Sequence, residues 1–217
     1  KYYNCMSGSK INVAKQAIEY IKDKLHPEMI LGIGTGSTVN FFIEELKDLR
    51  NNFAGAVSSS DASSRLLSEN GIEVFNLNDI SEIAFYIDGA DEVAPNKELI
   101  KGGGGAHTRE KIVASAAKEF ICIVDDSKIV TKLGAFPLPV EVIPESRSLV
   151  ARRIVSMGGV PEYRAGFTTD QGNQILDVKE IDISDPKELE TLLNTIPGVV
   201  DNGIFAFNKP SVVLVSK

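Results

Sequence analysis

MILGIGTGST, residues 29–38, is a short apolar run that stops at a glycine-rich turn. The run is typical of a buried strand, and from Thr38 to Arg50 apolar residues recur at helical spacing. Similar successions of strand, polar turn and helix follow as far as the apolar segment 120–124. Strands that alternate with helices predict an α/β fold in which helices cover both faces of a parallel sheet.

The pattern changes after about Leu133. The segments between residues 140 and 205 follow the order strand, helix, strand, strand, helix, strand, which is the split βαβ arrangement. Within it, residues 199–205 are expected to form a single strand. The last apolar segment, residues 211–215, is expected to return to the first sheet.

Two helices are expected from local signals. Asp185 is suited to cap the helix that begins at Pro186, because an acidic cap followed by proline is a frequent helix start. Upstream, one continuous helix is expected over residues 107–119, directly before the strand that contains Cys122.

The composition restricts the partners of the chain. Its 217 residues carry a net charge of −7, which argues against nucleic-acid binding. No apolar run approaches the roughly 20 residues of a membrane-spanning helix, and the first residues lack the apolar core of a signal peptide. Cys5 and Cys122 provide no disulfide framework, which is typical of a reducing compartment. We therefore expect a cytoplasmic protein without nucleic-acid or membrane partners.

Polar segments follow several predicted strands, at the edge where open α/β sheets bind ligands. The first is the turn 34–38. Its backbone N–H groups open a helix and suit a phosphate, and hydroxyls add donors at Thr35, Ser37 and Thr38. Its spacing is neither that of the dinucleotide fingerprint nor that of the Walker loop. The alternative is a tight turn without a ligand.

The hydroxyl-rich segment SSSDASS at residues 58–64 is the second. These hydroxyls could complete a phosphate or sugar pocket at a strand end. The alternative, which the segment alone favours, is ordinary helix capping by Ser60 or Asp61.

An acidic turn at residues 88–92 directly follows the predicted apolar strand 83–87. Gly89 and Ala90 allow a close approach of the backbone, and Asp88 and Asp91 can face one pocket. Two such carboxylates can divide acid and base roles if their surroundings separate their pKa values. Mg²⁺ binding and a solvated acidic turn are the alternatives.

Four consecutive glycines, residues 102–105, lie between Lys101 and a predicted helix whose first turn contains Glu110. Glycine loses the most backbone entropy on folding, so such a run is expected where bare backbone is needed. A substrate could then contact main-chain N–H groups, with a lysine and a glutamate close by. The alternative is a flexible linker, which the strong helix signals immediately afterwards disfavour.

His26 and His107 are the two histidines, which excludes a histidine-rich metal site and argues against a Ser-His-Asp triad. Lys128 follows the strand that contains Cys122. A lysine at a strand end can hold an anion, although most lysines are merely solvated.

Together these segments resemble ribose-5-phosphate isomerases of the A type. The resemblance rests on GIGTGSTV at 32–39, SSSDASS at 58–64, DGADEV at 88–93, KGGGGAHTREKIVAS at 101–115 and DDSK at 125–128, with PLPVEVIP at 137–144 and IPGVV at 196–200 in support. Each motif alone is weak, but their occurrence in this order is highly specific. Only the first eight residues lie outside the resemblance.

The resemblance implies an α/β fold with a Rossmann-like, parallel-sheet phosphosugar domain, formed by residues 1–133 and 206–217. An inserted ferredoxin-like α+β subdomain would span residues 134–205. It also implies an aldose–ketose isomerase that interconverts D-ribose 5-phosphate and D-ribulose 5-phosphate in the non-oxidative pentose phosphate pathway. No metal or other cofactor is expected, the small-molecule partner is a sugar phosphate, and the assembly is a homodimer or homotetramer.

By position, the resemblance places Glu110 on the catalytic base, which would move a proton between C2 and C1 through a cis-enediolate. Asp88, Asp91 and Lys101 fall on polar active-site residues. The positions that correspond to substrate-binding segments are Thr35, Gly36, Ser37, Thr38, Asp88, Gly89, Ala90, Asp91, Lys101, Gly102, Gly103, Gly104 and Lys128. His107 departs from the small or apolar residue expected there, which puts the packing of the glycine loop in doubt.

Other functions stay open from the residues alone. An amino-sugar phosphate deaminase should use a histidine base, which two histidines scarcely provide. A coenzyme A transferase would form an acyl adduct on Glu110. A non-catalytic sugar-phosphate sensor of a transcription regulator would need a DNA-binding module, for which 217 residues leave no room beside both domains.

Overall fold

The computed structural model describes residues 2–217, with side chains described from Ser7 onward. The α-helices are α1 Tyr2–Ile21, α2 Ser37–Leu46, α3 Asp61–Glu69, α4 His107–Ala116, α5 Arg147–Ser156 and α6 Pro186–Asn194. The strands are β1 Ile30–Ile33, β2 Gly55–Ser58, β3 Ile83–Asp88, β4 Glu92–Val93, β5 Leu99–Ile100, β6 Ala117–Asp125, β7 Leu138–Val142, β8 Val160–Tyr163, β9 Gln174–Lys179, β10 Val199–Asn202, β11 Ile204–Phe205 and β12 Val212–Ser216. Among the described residues no helix has the length and apolar character needed to cross a membrane.

The chain divides into two compact units. The first contains the residues up to Gly89, residues 109–128 and residues 210–217, and the second contains residues 90–108 and 129–209. The second unit contains the predicted subdomain, residues 134–205, together with residues 129–133, 206–209 and the separate segment 90–108. The predicted domain boundaries stay a prediction. The assignment of separate functions to the two parts stays a prediction.

Five parallel strands form the sheet of the first unit, in the order β12-β6-β3-β1-β2. The predicted parallel sheet is confirmed, and so is the return of the last segment, since β12 pairs with β6. From β1 the chain adds β2 on one side and then crosses to β3 on the other. The strand order thus reverses between β1 and β3. Open α/β sheets bind ligands outside the carboxyl ends of their strands at such a point.

The two faces of this sheet carry different residues. One face packs against α1 and α2, and its fully buried members include Leu31, Ile33, Ile87, Ile121, Ile123, Val13, Ala17, Phe42 and Ile43. Because side chains alternate along a strand, the opposite face carries Gly32, Tyr86 and Phe120, which are neighbours in the register. A Cβ added to Gly32 would lie 2.9 Å from Cγ1 of Val113, so α4 covers this second face.

Four antiparallel strands form the main sheet of the second unit, in the order β10-β7-β9-β8. β7 and β8 are connected through α5, and β9 lies between them, which confirms the predicted split βαβ unit. The capping prediction for α6 is also confirmed, because the Asp185 side chain accepts a hydrogen bond from the Glu188 N–H at 3.1 Å. Buried residues of this core include Leu138, Val140, Val142, Val150, Ile154, Leu189 and Leu193.

The single strand predicted over residues 199–205 is wrong. The strand is interrupted at Gly203. Before this residue, β10 pairs with β7; after it, β11 pairs with β5 in a separate sheet of the order β11-β5-β4. At the break, the Gly203 N–H donates to the Pro139 carbonyl and the Lys101 N–H donates to the Gly203 carbonyl. A local apolar pattern cannot show that one run of residues serves two sheets.

The helix predicted over residues 107–119 ends early. Residues 117–119 instead begin β6 and pair with β3, with Ala117 beside Ile83 and Glu119 beside Phe85. Pairing with a distant strand therefore overrides the helical pattern of these three residues.

Replacing Gly203 with Ala is expected to lower the free energy of unfolding by about 1–3 kcal/mol, the usual effect of overpacking. The added Cβ would lie 2.2 Å from the backbone oxygen of Lys101, which cannot move aside as a flexible side chain can. Urea denaturation followed by circular dichroism measures the change. Gly8→Ala is the control, because no atom of the described part of the chain lies within 4 Å of its added Cβ. Equal stability of the two variants would contradict the close approach.

Candidate active site

Asp88 ends β3 and has no exposed surface. Its Oδ1 accepts hydrogen bonds from the N–H groups of Thr35 at 3.2 Å and Gly89 at 2.8 Å, and its Oδ2 accepts one from the Tyr86 hydroxyl. A buried carboxylate needs such donors in place of water. Because Thr35 follows β1, these bonds join the carboxyl ends of β1 and β3, where the strand order reverses.

Two glycines near β1 provide the space for this arrangement. A Cβ added to Gly34 would lie 1.9 Å from Cγ of Asp88, and one added to Gly32 would lie 3.0 Å from Cδ2 of Tyr86. The carboxylate and the phenol therefore fill positions that side chains on β1 would otherwise take. This is the physical reason for glycine at both positions of the GIG motif.

A ring of polar groups surrounds the carboxylate. Thr35 Oγ1 lies 2.8 Å from Ser59 Oγ. The Ser59 hydroxyl acts on the Tyr86 phenol and lowers its pKa, and the phenol in turn donates to Asp88. Since the Thr35 N–H donates to Asp88, the ring returns to its start. The ring draws its members from the ends of β1, β2 and β3.

Burial raises the pKa of the Tyr86 phenol well above its ordinary value of 10.0, and the negative charges of Asp88 and Glu110 raise that pKa further. The phenol therefore keeps its proton and remains a hydrogen-bond donor to Asp88 at neutral pH.

Glu110 lies in the first turn of α4 and is 4 % exposed. Its charge acts on the buried Tyr86 phenol, so the carboxylate lies in the neighbourhood of the Tyr86–Asp88 hydrogen bond. Val113, one turn further along the same helix face, contacts the sheet at Gly32. The structure thus brings Glu110 and Asp88 together on one face of the parallel sheet.

The turn after β1 presents a helix N-terminus. Gly36, at φ +116°, precedes Ser37, and no described side chain caps the helix there. The Lys10 ammonium donates to Ser37 Oγ at 2.8 Å. Uncapped N–H groups at the positive end of a helix dipole are suited to an anion. Thr35 and Thr38 flank these groups and are partly exposed.

The serine segment 58–64 serves two purposes. Ser60 caps α3 by accepting a hydrogen bond from the Ser63 N–H at 3.1 Å, so the capping alternative describes this residue. Ser59 instead joins the ring around Asp88. Ser63 Oγ donates to the Gly34 carbonyl at 2.7 Å and fixes the start of the turn that follows β1.

Lys128 ends a short 3-10 turn that follows β6. β6 pairs with β3, so Lys128 comes after the same edge of the sheet at which Asp88 lies. Its side chain is partly exposed and makes no hydrogen bond or ion pair with any described residue. It is therefore available to an anion.

Lys101 and Asp91 belong to the second unit. Lys101 is buried, and its Nζ lies 5.5 Å from the centre of the Phe205 ring. Asp91 Oδ2 accepts a hydrogen bond from the Gly103 N–H at 2.8 Å. Gly89 and Ala90, which lie between Asp88 and Asp91 in the sequence, are partly exposed.

The four glycines form a hydrogen-bonded turn. The Gly105 N–H donates to the Gly102 carbonyl at 2.9 Å, and both residues have positive φ, +77° and +104°. Gly103 and Gly104 between them are exposed. The fully buried ring of His107 packs against this turn. A Cβ added to Gly102 would lie 2.6 Å from its Nδ1.

A buried carboxylate anchors the start of α4. Glu141 Oε1 accepts hydrogen bonds from Thr169 at 2.8 Å, Gln171 at 3.1 Å and Asn173 at 3.1 Å, and Oε2 accepts one from Thr108. Thr108 lies two positions before the candidate base. The satisfied carboxylate therefore fixes the chain where the helix begins.

Metal binding was one interpretation of the acidic turn. Both oxygens of Asp88 accept hydrogen bonds from protein donors, and Asp91 accepts one from the glycine turn. Over the described residues, no three His, Cys, Asp or Glu side chains lie together as a metal site.

Sequence reasoning missed three residues of this region. Tyr86 could have been found from strand alternation, which places it on the same face as Asp88. Glu141 lies within a quoted motif, but nothing local shows that it is buried. Arg164, which contacts the glycine turn, has no local signal at all.

The sequence model of ribose 5-phosphate isomerase A (phosphoriboisomerase A) matches residues 55–217. The chain is also 56 % identical to the ribose-5-phosphate isomerase A of Legionella pneumophila (strain Corby), over 97 % of this chain and 96 % of that protein. The chain belongs to the ribose 5-phosphate isomerase A family. A second family member, from Mannheimia succiniciproducens, is 57 % identical over 93 % of this chain and 91 % of its own length.

Solved structures of ribose 5-phosphate isomerases share the fold. The enzyme from Neisseria gonorrhoeae superposes with a TM-score of 0.93 at 48 % identity, covering 98 % of this chain and 93 % of that chain. A D-ribose-5-phosphate isomerase in complex with phospho-erythronic acid gives a TM-score of 0.88 at 38 % identity, covering 95 % and 93 %. The α/β fold expected from the sequence is thus confirmed.

In this family member the Tyr86 phenol is expected to be the last of five tyrosines to ionise. The stability that depends on its proton is present below pH 10, its ordinary pKa, and is lost as the pH rises through the higher pKa of the folded state. Alkaline titration followed by tyrosinate absorbance measures this, since the chain contains no tryptophan. One phenol should ionise only as the protein unfolds.

Tyr86→Phe should remove this late phase, and Tyr20→Phe should retain it. Tyr20 is the matched control because its pKa is also raised, through a hydrogen bond to Glu119, but without deep burial. A late phase that persists in Tyr86→Phe would show that Tyr86 is not the buried donor.

Proposed function

We propose that this protein is an aldose–ketose isomerase that interconverts D-ribose 5-phosphate and D-ribulose 5-phosphate in the non-oxidative pentose phosphate pathway. Membership of the ribose 5-phosphate isomerase A family supports the substrate and the reaction. The observation that carries the proposal is the buried Glu110 carboxylate, whose charge acts on Tyr86, the phenol that donates to Asp88. A base in this position can act on a sugar bound beyond the carboxyl ends of β1 and β3.

Glu110 is the proposed general base. It would remove the proton from C2 of the open-chain aldose and return it to C1, so that a cis-enediolate separates the two sugars. One carboxylate can serve both carbons because they are adjacent. A positioned base typically contributes about 10²–10⁴-fold to the rate. The low exposure of Glu110 supports this role, since burial restricts its side chain.

Asp88, Asp91 and Lys101 have proposed roles around the sugar carbonyl. Lys101 and N–H groups of the glycine turn would stabilise the negative charge on the carbonyl oxygen, and one such donor can contribute about 3–4 kcal/mol. Asp88 would assist ring opening and proton movement between O1 and O2. Asp91 would hold a hydroxyl or orient Lys101.

The proposed binding groups hold the rest of the substrate. Phosphate and sugar oxygens would contact the helix start and the two glycine-containing turns, at Thr35, Gly36, Ser37, Thr38, Gly89, Ala90, Gly102, Gly103, Gly104 and Lys128. The related structure with phospho-erythronic acid supports this scheme. That ligand joins a phosphate to a planar, negatively charged carboxylate, which resembles an enediolate, and enzymes bind such analogues tightly.

The proposed reaction requires no metal ion or other cofactor, because side chains and N–H groups would stabilise the negative charge of the enediolate. We also propose a homodimer or homotetramer in the cytoplasm, without nucleic-acid or membrane partners. The net charge of −7 supports the absence of a nucleic-acid partner. Light scattering after size-exclusion chromatography would give the assembly directly.

Replacing Glu110 with Gln is expected to lower kcat by at least about 10²-fold, because the amide cannot accept the C2 proton. Binding of ribose 5-phosphate should be retained, since the amide has nearly the same shape. A coupled assay measures kcat, and calorimetry measures binding. The wild-type rate should not change when EDTA is added. Chelator-sensitive activity that a metal restores would favour the metal interpretation of Asp88 and Asp91.

Glu190→Gln is the matched control for this experiment. Glu190 is equally buried, at 4 %, and its Oε1 accepts hydrogen bonds from the N–H groups of Ala206 and Phe207. The control should lose stability but keep kcat per folded molecule. Near-normal turnover of the Glu110 variant would remove this residue from the mechanism.

A further inference from the structure

Arg164, the first residue after β8, reaches the carbonyl groups of the glycine turn. Its Nη2 donates to the Gly102 oxygen and its Nη1 donates to the Gly103 oxygen, both at 3.2 Å. Nε and Nη2 also form a paired contact with Asp177 of β9, at 2.9 Å and 2.6 Å. The Arg164 side chain is 18 % exposed. The guanidinium therefore lies between a carboxylate and two loop carbonyls.

The fork geometry of arginine is needed for this arrangement. A guanidinium presents several N–H groups in one plane and can meet a carboxylate and further acceptors at once, whereas a lysine offers a single nitrogen. Phe167, which lies in the connection between β8 and β9, adds a packing contact. A Cβ added to Gly105 would lie 2.3 Å from its Cζ, and its ring centre lies 5.2 Å from Cζ of Arg164.

Peptide planarity converts these carbonyl contacts into a constraint on two N–H groups. The peptides are trans, and in a trans peptide the C=O and N–H bonds point in opposite directions. Because the oxygens of Gly102 and Gly103 face Arg164, the N–H groups of Gly103 and Gly104 point away from it. The Gly103 N–H donates to Asp91. The Gly104 N–H makes no hydrogen bond with any described residue, and Gly104 is exposed.

We infer that Arg164 is a positioning residue for the isomerase reaction, because it holds the glycine turn so that the Gly104 N–H is presented to a substrate oxygen. The inference rests on the proposed function, which supplies that oxygen. Without Arg164 the two glycine peptides can rotate, since glycine populates both signs of φ. A rotated peptide would present a carbonyl oxygen to the substrate, and repulsion would replace a hydrogen bond.

The test compares Arg164→Met and Arg164→Lys with Arg147→Met. The methionine keeps an unbranched side chain but removes every donor. We expect kcat/KM to fall by about 10²-fold, mostly through kcat, because misplaced groups at a reacting centre have effects of that size. Arg164→Lys should also be impaired, since charge alone does not provide the fork. A lysine variant with wild-type kcat/KM would overturn the inference.

Arg147→Met is the control, because Arg147 belongs to the same unit and makes similar contacts away from the turn. It donates to Gln174 Oε1 at 3.1 Å and lies 4.1 Å from the centre of the Tyr163 ring. Rates are given per folded molecule, with the folded fraction taken from circular dichroism. Equal kcat/KM in the two methionine variants would reduce Arg164 to a structural role and overturn the inference.

Hydrogen exchange separates this inference from the proposed function. The amide of Gly103 donates to Asp91 and the amide of Gly105 donates to the Gly102 carbonyl, so both should exchange faster in Arg164→Met than in Arg147→Met. Equal exchange would overturn the inference whatever the catalytic rate. A wild-type protein that does not convert ribose 5-phosphate would instead overturn the proposed function. Partial rescue of Arg164→Ala by added guanidinium, but not of Arg147→Ala, would support the inference further.

Discussion

A carboxylate can be buried at the end of a central strand only if protein donors surround it, and Asp88 depends on this constraint. Its donors come from its own strand at Tyr86, from the following N–H and from the turn after β1. This is possible because β1 and β3 are adjacent and because Gly34 leaves the necessary space. Burial of the Asp88 carboxylate therefore depends on the strand order of the parallel sheet, on the turn after β1 and on the surrounding hydroxyl groups.

In the second unit, side chains hold the backbone of the glycine turn, residues 102–105, in a defined conformation. Glycine is flexible, so a turn of four glycines gives a defined arrangement of N–H groups only when other residues hold it. Here Asp91 accepts from one N–H, Arg164 donates to two carbonyls, and His107 and Phe167 pack against the turn. Preorganised donors of this kind stabilise developing charge without reorganisation during the reaction. Both units thus hold polar groups in place through buried or half-buried charged side chains.

Local signals predicted much of this molecule. Apolar runs predicted the strands of the parallel sheet, and Asp185 predicted the start of a helix. The ordered motifs indicated the family and the candidate site residues. The errors arose where distant pairing decides the structure. Gly203 divides one apolar run between two sheets, and residues 117–119 join β6 because β3 lies beside them. Arg164 has the same limitation, since its role depends on a turn more than sixty positions away. Tyr86, in contrast, was within reach of strand alternation.

The central claim is that a protein carboxylate transfers a proton between the first two carbons of the sugar. Running the isomerisation of ribose 5-phosphate in D₂O and analysing the ketose by NMR tests it directly. A proton transferred through Glu110 can exchange with solvent, so deuterium should appear at C1 of ribulose 5-phosphate during turnover by the wild-type protein and not with Glu110→Gln. Fast turnover without any deuterium at C1 would contradict the account, because it would show no transfer through a group that exchanges its proton with solvent.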